Sequence, residues 1–475
     1  MKTKTTYLSI FKLIMITSAF VLSIRNMPML AETGMQMFFY IIVAAIIYLI
    51  PVGLVSAELA TGWPKEGGVY VWIKEAFGEK WAFFSIWMLW VQMFFGMVMI
   101  TSFIAAMWAY VFYPPWANNE TYIVIMILVM YWGVTLLNLK GLKAASLIST
   151  IGVVFGVFIP AALILVLGAI YLFQGNPVNM DFSFTANNII PNFSNIGNLA
   201  FFVSVVFVFA GLEVSSVHAN EVKDPQKNYP KAMFMGILLL IILNIFGSLI
   251  VGIVVPKNEI SLVAGIMQTF EIFLTKFDMK WLIPIVALFA AVGATGQIST
   301  WVLGPSKGML GVAKNGDLPP WWQKENKYGV PTHIIFTQAT AISLVALLYL
   351  VVPSINSVFF MILILTTLLY AIMYIFMFAS GIKLRYSQPN VPRAYKVPGK
   401  NNIGMWILGV FGLISMAFVV VIAFFPPEIV SSKGNSSFYV WFMAIGLAFF
   451  VIIPLIVFKF KKPEWKKEIS PKKLG

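Results

Sequence analysis

Ser23-Ile24-Arg25-Asn26-Met27-Pro28 interrupts the first long apolar run of this chain, and Phe209-Ala210-Gly211-Leu212-Glu213 interrupts another. Each stretch sets a charge beside Gly or Pro, deep in a segment otherwise apolar enough to cross a bilayer. An ionised side chain at the centre of a membrane helix costs about 2.5 to 3.5 kcal/mol on insertion scales. Irregular backbone at that depth is tolerated only where it is buried in protein or lines a cavity. Both stretches are therefore expected to face the protein interior, and paired interruptions in corresponding spans mark the binding region of a secondary transporter.

Working outward from the two breaks, apolar segments recur near residues 8–32, 37–61, 80–112, 121–138, 146–173 and 197–219. Six more follow near 231–255, 281–313, 333–352, 357–384, 402–425 and 438–460. About 20 residues suffice to cross a hydrocarbon core roughly 30 Å thick, so the pattern predicts an all-α integral membrane protein of about twelve transmembrane helices. The breaks fall in the first and sixth spans. Five spans per repeat inverts the second copy, so residues 8–173 and 197–384 are expected to form inverted five-helix repeats. Spans eleven and twelve (402–460) and a basic tail (461–475) complete a single membrane domain over residues 1–475.

Of the 475 residues, 60% are hydrophobic and 11% charged, against the roughly 25% charged share of soluble domains. The formal charge of +14 raises nucleic acid as a partner, and the placement of the 32 Lys and Arg residues answers the question. With a cytoplasmic amino terminus, 25 fall in the terminal segments and even-numbered turns, counting Lys80, Lys231, Lys383 and Lys459 at the span ends beside them, four in the odd-numbered turns and three deeper inside spans. That asymmetry is the positive-inside rule and predicts both termini in the cytoplasm. Seven lysines between Lys459 and Lys473 fit a solvated anchor at anionic headgroups, so membrane lipids are the expected partner and nucleic acid is not needed. The first run holds Lys12 and Arg25 and continues into Pro28 without a small-residue cleavage site, as a retained span would.

The absence of cysteine excludes disulfides and thiolate chemistry in this chain. His218 and His333 are far apart and lack partners at metal-ligand spacing, so no metal or other cofactor is expected. No nucleophile with a neighbouring base, no nucleotide loop and no repeated ion filter is evident, which argues against an enzyme or a channel.

Four features carry chemistry. Glu213, directly after Leu212 and the break glycine Gly211, reads either as a proton-sensitive gate or substrate contact, or as a buried carboxylate paired across helices. Arg25 offers a permanently charged fork suited to a substrate carboxylate, or else pairs permanently with Glu213 or another internal acid. Tyr370 and Tyr374 share one face of the tenth span, with Thr366 one turn earlier, and fit a polar path. Gln297 lies among Gly293, Gly296 and Ser299, where small residues signal close helix packing or a substrate contact.

Several stretches resemble the amino acid, polyamine and organocation transporters, and within them the bacterial glutamate/GABA antiporters. They are Pro51-Val52-Gly53-Leu54 with Ala57-Glu58-Leu59-Ala60, Glu66-Gly67-Gly68-Val69, and Pro191-Asn192-Phe193-Ser194. Gly211-Leu212-Glu213 continuing through His218-Ala219-Asn220-Glu221, Asp224-Pro225 and Tyr229-Pro230 is similar to that family's sixth span and its exit loop. Ala264-Gly265-Ile266-Met267-Gln268-Thr269-Phe270 and Gly304-Pro305-Ser306-Lys307-Gly308-Met309 extend the likeness over nearly the whole chain.

The resemblance implies a LeuT-like 5+5 inverted repeat with broken helices one and six, in a bacterial inner membrane. It implies exchange of amino acid substrates by alternating access. Ser23, Ile24, Arg25, Asn26, Gly211, Glu213, Gln297, Tyr370 and Tyr374 would then line the substrate pathway, with Glu213 as the gating or proton-coupling group. Three departures qualify the transfer of substrate. Arg25 stands where those antiporters have tyrosine, Gln297 where they have glutamate, and the chain ends at Gly475, short of their long carboxy-terminal plug. A proton-coupled symporter or uniporter is the competing reading within transport, and a transceptor or membrane enzyme the reading from another class. The exchanged pair and the oligomeric state stay open at this level.

Overall fold

A helix satisfies every backbone N–H and C=O within its own segment, which is what a bilayer demands of apolar runs this long. The computed structural model describes residues 9–11, 13–14, 23–65, 67–140, 156, 158–215, 222–431, 434 and 436–466. Among these residues, ten helices are long and apolar enough to cross a membrane. They are Gln36–Gly62, Glu79–Phe112, Glu120–Asn138, Ile196–Val214, Pro225–Val254, Lys280–Lys314, Thr332–Val351, Ile355–Ser387, Lys400–Ile422 and Ser436–Lys459. They coincide with expected spans two to four and six to twelve, and the chain is a multi-pass membrane protein. The fifth span is described as the shorter helix Ile159–Phe173. Residues 15–22 of the first span, 146–155 of the fifth and 216–219 of the sixth, with His218, lie outside the described residues.

Both expected breaks are present. Ser23 is extended (φ −146°, ψ 127°), Ile24–Asn26 form one 3-10 turn, and Met27–Ala31 resume as α-helix. In the sixth span the helix Ile196–Val208 gives way to a tight turn, in which the Ala210 amide reaches back only to the Phe207 carbonyl at 3.1 Å. Gly211 then takes φ +99°, a conformation that glycine reaches without a Cβ penalty, and the helix restarts at Leu212–Ser215.

Three features differ from the sequence expectation. The seventh span begins at Pro225 rather than near 231, because proline is well suited to the first helical position and Pro230 is then absorbed five residues in. Helices Val69–Phe77 and Gly265–Lys276 lie between spans, in segments expected to be turns. The second span carries a π-helical turn at Ala45–Leu49, where the Ile50 amide bonds the Ala45 carbonyl five residues back. Pro51 has no N–H to offer the preceding turn, and the wider turn relieves that mismatch.

The third span is the packing axis, lying along the eighth and tenth spans. A polar knot joins it to three others. Trp90 Nε1 and Ser306 Oγ both donate to Gln338 Oε1, at 3.2 and 3.1 Å, and Gln338 Nε2 donates to the Tyr131 hydroxyl at 2.6 Å. All four side chains are buried, so spans three, four, eight and nine share one satisfied amide.

Glycines set the closest helix approaches. A methyl group at Gly53 of the second span would stand 2.9 Å from Met233 Cγ of the seventh, and one at Gly247 would stand 2.5 Å from Met27 Sδ of the first.

One end of the bundle is rich in Lys and Arg. There Glu58 is gripped by Arg385 and approached by Arg393, and the Val397 amide donates to it at 2.7 Å. Gln226, at the start of the seventh span, exchanges two hydrogen bonds with the Lys396 backbone. At the same end the start of the tail docks. Lys461 pairs with Asp317 at 2.6 Å and Glu79 at 3.2 Å, and Gln323 donates to the Trp465 carbonyl at 2.6 Å. Burial opposes the Lys461 charge, but the Asp317 and Glu79 carboxylates outweigh it and hold its pKa above the usual lysine value. Residues 467–475 of the expected tail lie outside the described residues.

Candidate functional site

The break in the sixth span and the tyrosine face of the tenth meet at Glu213. Its side chain is buried at 2% exposure. The Tyr370 hydroxyl donates to Oε1 at 2.8 Å and the Tyr374 hydroxyl donates to Oε2. The same Tyr374 hydroxyl accepts the Gly211 amide at 3.1 Å, so one phenol fixes both the carboxylate and the turn beside it. The helical spacing of the tyrosines sets their rings together on one face, tilted by 36° with centroids 5.0 Å apart. Thr366, expected on that face, turns its hydroxyl back to the Ile362 carbonyl of its own helix at 2.8 Å.

A third tyrosine joins this cluster from the second span. Tyr48 lies in the π-helical turn, fully buried, with its ring edge-on to Tyr374 at 5.4 Å. Reading the sequence did not single it out, although Pro51 three residues later was a signal that the helix must deform nearby.

At the first-span break, Ile24 and Asn26 are buried, while Ser23 and Arg25 are partly exposed. Arg25 Nε is buried and has no hydrogen-bond partner. Among the described residues Arg25 forms no ion pair, so the alternative of permanent pairing with Glu213 is not what the structure shows. Gln297 belongs to the helix Ile283–Lys314, and its side chain lies outside the described residues. Among the described residues no group of three His, Asp or Glu side chains could hold a metal ion.

Chemically, the two breaks free backbone N–H and C=O groups from helical bonding, and each carries a charge of opposite sign. Positive and negative hydrogen-bonding groups at interrupted helices suit a small zwitterion.

The chain is similar to known proteins over most of its length. Residues 8–450 match the amino acid permease family. The chain is 38% identical to the uncharacterized transporter lpg1691 of Legionella pneumophila, over 95% of this chain and 96% of the relative. It is 32% identical to a glutamate/gamma-aminobutyrate antiporter of Lactococcus lactis, over 95% and 90% of the two chains. It is 24% identical to a probable agmatine/putrescine antiporter of the same species, over 91% and 90%. The family and these relatives are transporters, and with 443 consecutive positions from residue 8 to residue 450 matched, this chain belongs to the amino acid permease family.

Proposed function

We propose that this protein is an amino acid antiporter working by alternating access in a bacterial inner membrane. The observation that carries the reading is the link between the broken sixth span and the tenth, through Glu213, Tyr370 and Tyr374. Spans one to five and six to ten act as inverted LeuT-like repeats, spans eleven and twelve flank them, and both termini lie in the cytoplasm. The substrate pathway runs along Ser23, Ile24, Arg25, Asn26, Gly211, Glu213, Tyr370 and Tyr374, with Gln297 at its eighth-span side.

Arg25, a cation without a protein counter-ion among the described residues, takes a substrate carboxylate. Two unit charges about 4 Å apart interact by several kcal/mol at an effective dielectric near 20. Acidic or neutral zwitterionic amino acids are therefore favoured over lysine, arginine and polyamines. The relatives include a glutamate/gamma-aminobutyrate antiporter, which supports exchange as the mode.

A second reading, proton-coupled symport or uniport, draws on the buried Glu213 carboxylate. Counterflow in proteoliposomes separates the two. An obligate exchanger moves labelled amino acid only when unlabelled substrate fills the opposite side, whereas a symporter accumulates label into empty liposomes under a pH gradient.

A further inference from the structure

The seventh span, so far outside the site, holds two buried oxygens with nothing to bond. Asn244 and Ser248 are both 0% exposed and stand one turn apart on one helix face. Asn244 Nδ2 donates to the Leu240 carbonyl at 2.8 Å. That bond fixes the amide's direction, because the flipped rotamer would set two oxygens against each other. Asn244 Oδ1 is left without a partner, and so is Ser248 Oγ. Unpaired buried oxygens cost stability, and an apolar residue at either position would avoid the cost.

Register shows what this face meets. Gly247 lies against Met27, and a methyl group at Gly252 would stand 3.7 Å from Ala31 Cβ. The seventh span and the resumed first span thus advance together, and carrying that register back sets Asn244 opposite Ile24–Asn26. The two elements do pack against each other. Arg25 Nε, on that same turn, is likewise buried without a partner.

We infer that Asn244 and Ser248 are substrate contacts, forming the seventh-span wall of the site at the first-span break and accepting an N–H donor from the amino acid. The inference rests on the proposed amino acid exchange and names residues that reading did not contain. Arg25 supplies only donors and Asn244 Oδ1 only an acceptor, so together they select a ligand that carries an acceptor group and an N–H group close to one another. An amino acid can offer the N–H from its α-ammonium or from a side-chain carboxamide.

The test uses Asn244→Leu and Ser248→Ala, purified whole and reconstituted. Exchange KM is read for glutamate, glutamine, asparagine and alanine, and thermal stability is read with and without each amino acid. The empty variants should be as stable as the parent or more so, since an orphaned oxygen is gone. KM in Asn244→Leu should rise roughly tenfold, the value of one lost hydrogen bond, and by less in Ser248→Ala. A rise for all four substrates assigns the donor to the α-ammonium, and a rise confined to glutamine and asparagine assigns it to the carboxamide. Parent KM and parent ligand stabilisation in both variants of an active exchanger would overturn this assignment alone. A parent protein that exchanges no amino acid would overturn the proposed function and this assignment together.

Discussion

Arg385 holds Glu58 from two sides, with Nε 2.5 Å from Oε1 and Nη2 2.5 Å from Oε2, across 327 residues of sequence. Both side chains are 2% exposed. The clasp extends beyond the pair. Arg393 Nε stands 3.2 Å from the same carboxylate, and Thr61 exchanges two hydrogen bonds with the Tyr395 backbone. The segment after the tenth span is thereby fastened to the second span and, through Gln226, to the start of the seventh.

Removing one partner of such a pair leaves an uncompensated buried charge, which costs about 3 to 5 kcal/mol. Glu58→Gln is expected to lower the Tm of the purified protein clearly, and Glu58→Met with Arg385→Met together to lower it by less than the sum of the single changes. Strict additivity in that double-mutant cycle would show that the contact contributes nothing of its own.

Glu213→Gln keeps the size and the acceptor oxygen of the side chain but removes its titrating proton. Insertion and folded yield should match the parent, while the pH dependence of transport is lost or displaced. A pH profile that overlays the parent's would rule out Glu213 as the coupling group.

Tyr374→Phe should harm exchange more than Tyr370→Phe, because Tyr374 serves both Glu213 and the Gly211 amide. Hydrogen bonds to a charged group are worth about 1.5 to 3 kcal/mol, so a loss of roughly tenfold or more in initial exchange rate per folded molecule is expected for Tyr374→Phe. Equal rates in the two variants would mean that the bond to the break carries no weight.

For Arg25, competition by a panel of amino acids should rank acidic and neutral zwitterionic substrates above lysine, arginine and polyamines. Arg25→Lys keeps the charge without the fork and should keep the order with weaker binding. Arg25→Tyr should change the order. An unchanged ranking in Arg25→Tyr, or preferred uptake of lysine by the parent, would remove Arg25 from the selection of substrate charge.

Gln338→Leu strands the Trp90 indole N–H and takes the donor from the Tyr131 hydroxyl, while Ser306 keeps its bond to the Val302 carbonyl at 2.7 Å, with a cost of about 1 to 3 kcal/mol for each donor or acceptor left buried and unpaired. The expected result is a lower Tm with an unchanged substrate ranking. A shifted ranking at parental Tm would contradict a purely structural role for the knot.

The two breaks were legible because charge, glycine and proline in an apolar run have few structural outcomes. Tyr370 and Tyr374 were legible as a shared face because four residues make about one turn. The carboxylate they hold was not, since nothing in one helix names the partner on another. Glu58 and Arg385 look like ordinary charges near helix ends until folding brings them together. Asn244 reads as one polar residue among leucines and isoleucines, and only its unpaired oxygen sets it apart. The seventh-span start was misread because Pro230 looked like a boundary, although Pro225 had already supplied one.

The π-helical turn at Ala45–Leu49 amounts to one residue too many in an otherwise regular helix. An α-helix advances about 100° per residue, so winding all five residues of this turn as regular α-helix would put the two halves of the second span out of phase by roughly that angle. Either Tyr48 would swing off Tyr374 or everything before it would rotate, including Tyr40, whose hydroxyl holds the Asn198 carbonyl at 2.7 Å. The surplus residue thus works as an angular offset. It lets a single helix address the start of the sixth span with one tyrosine and the Glu213 cluster with another.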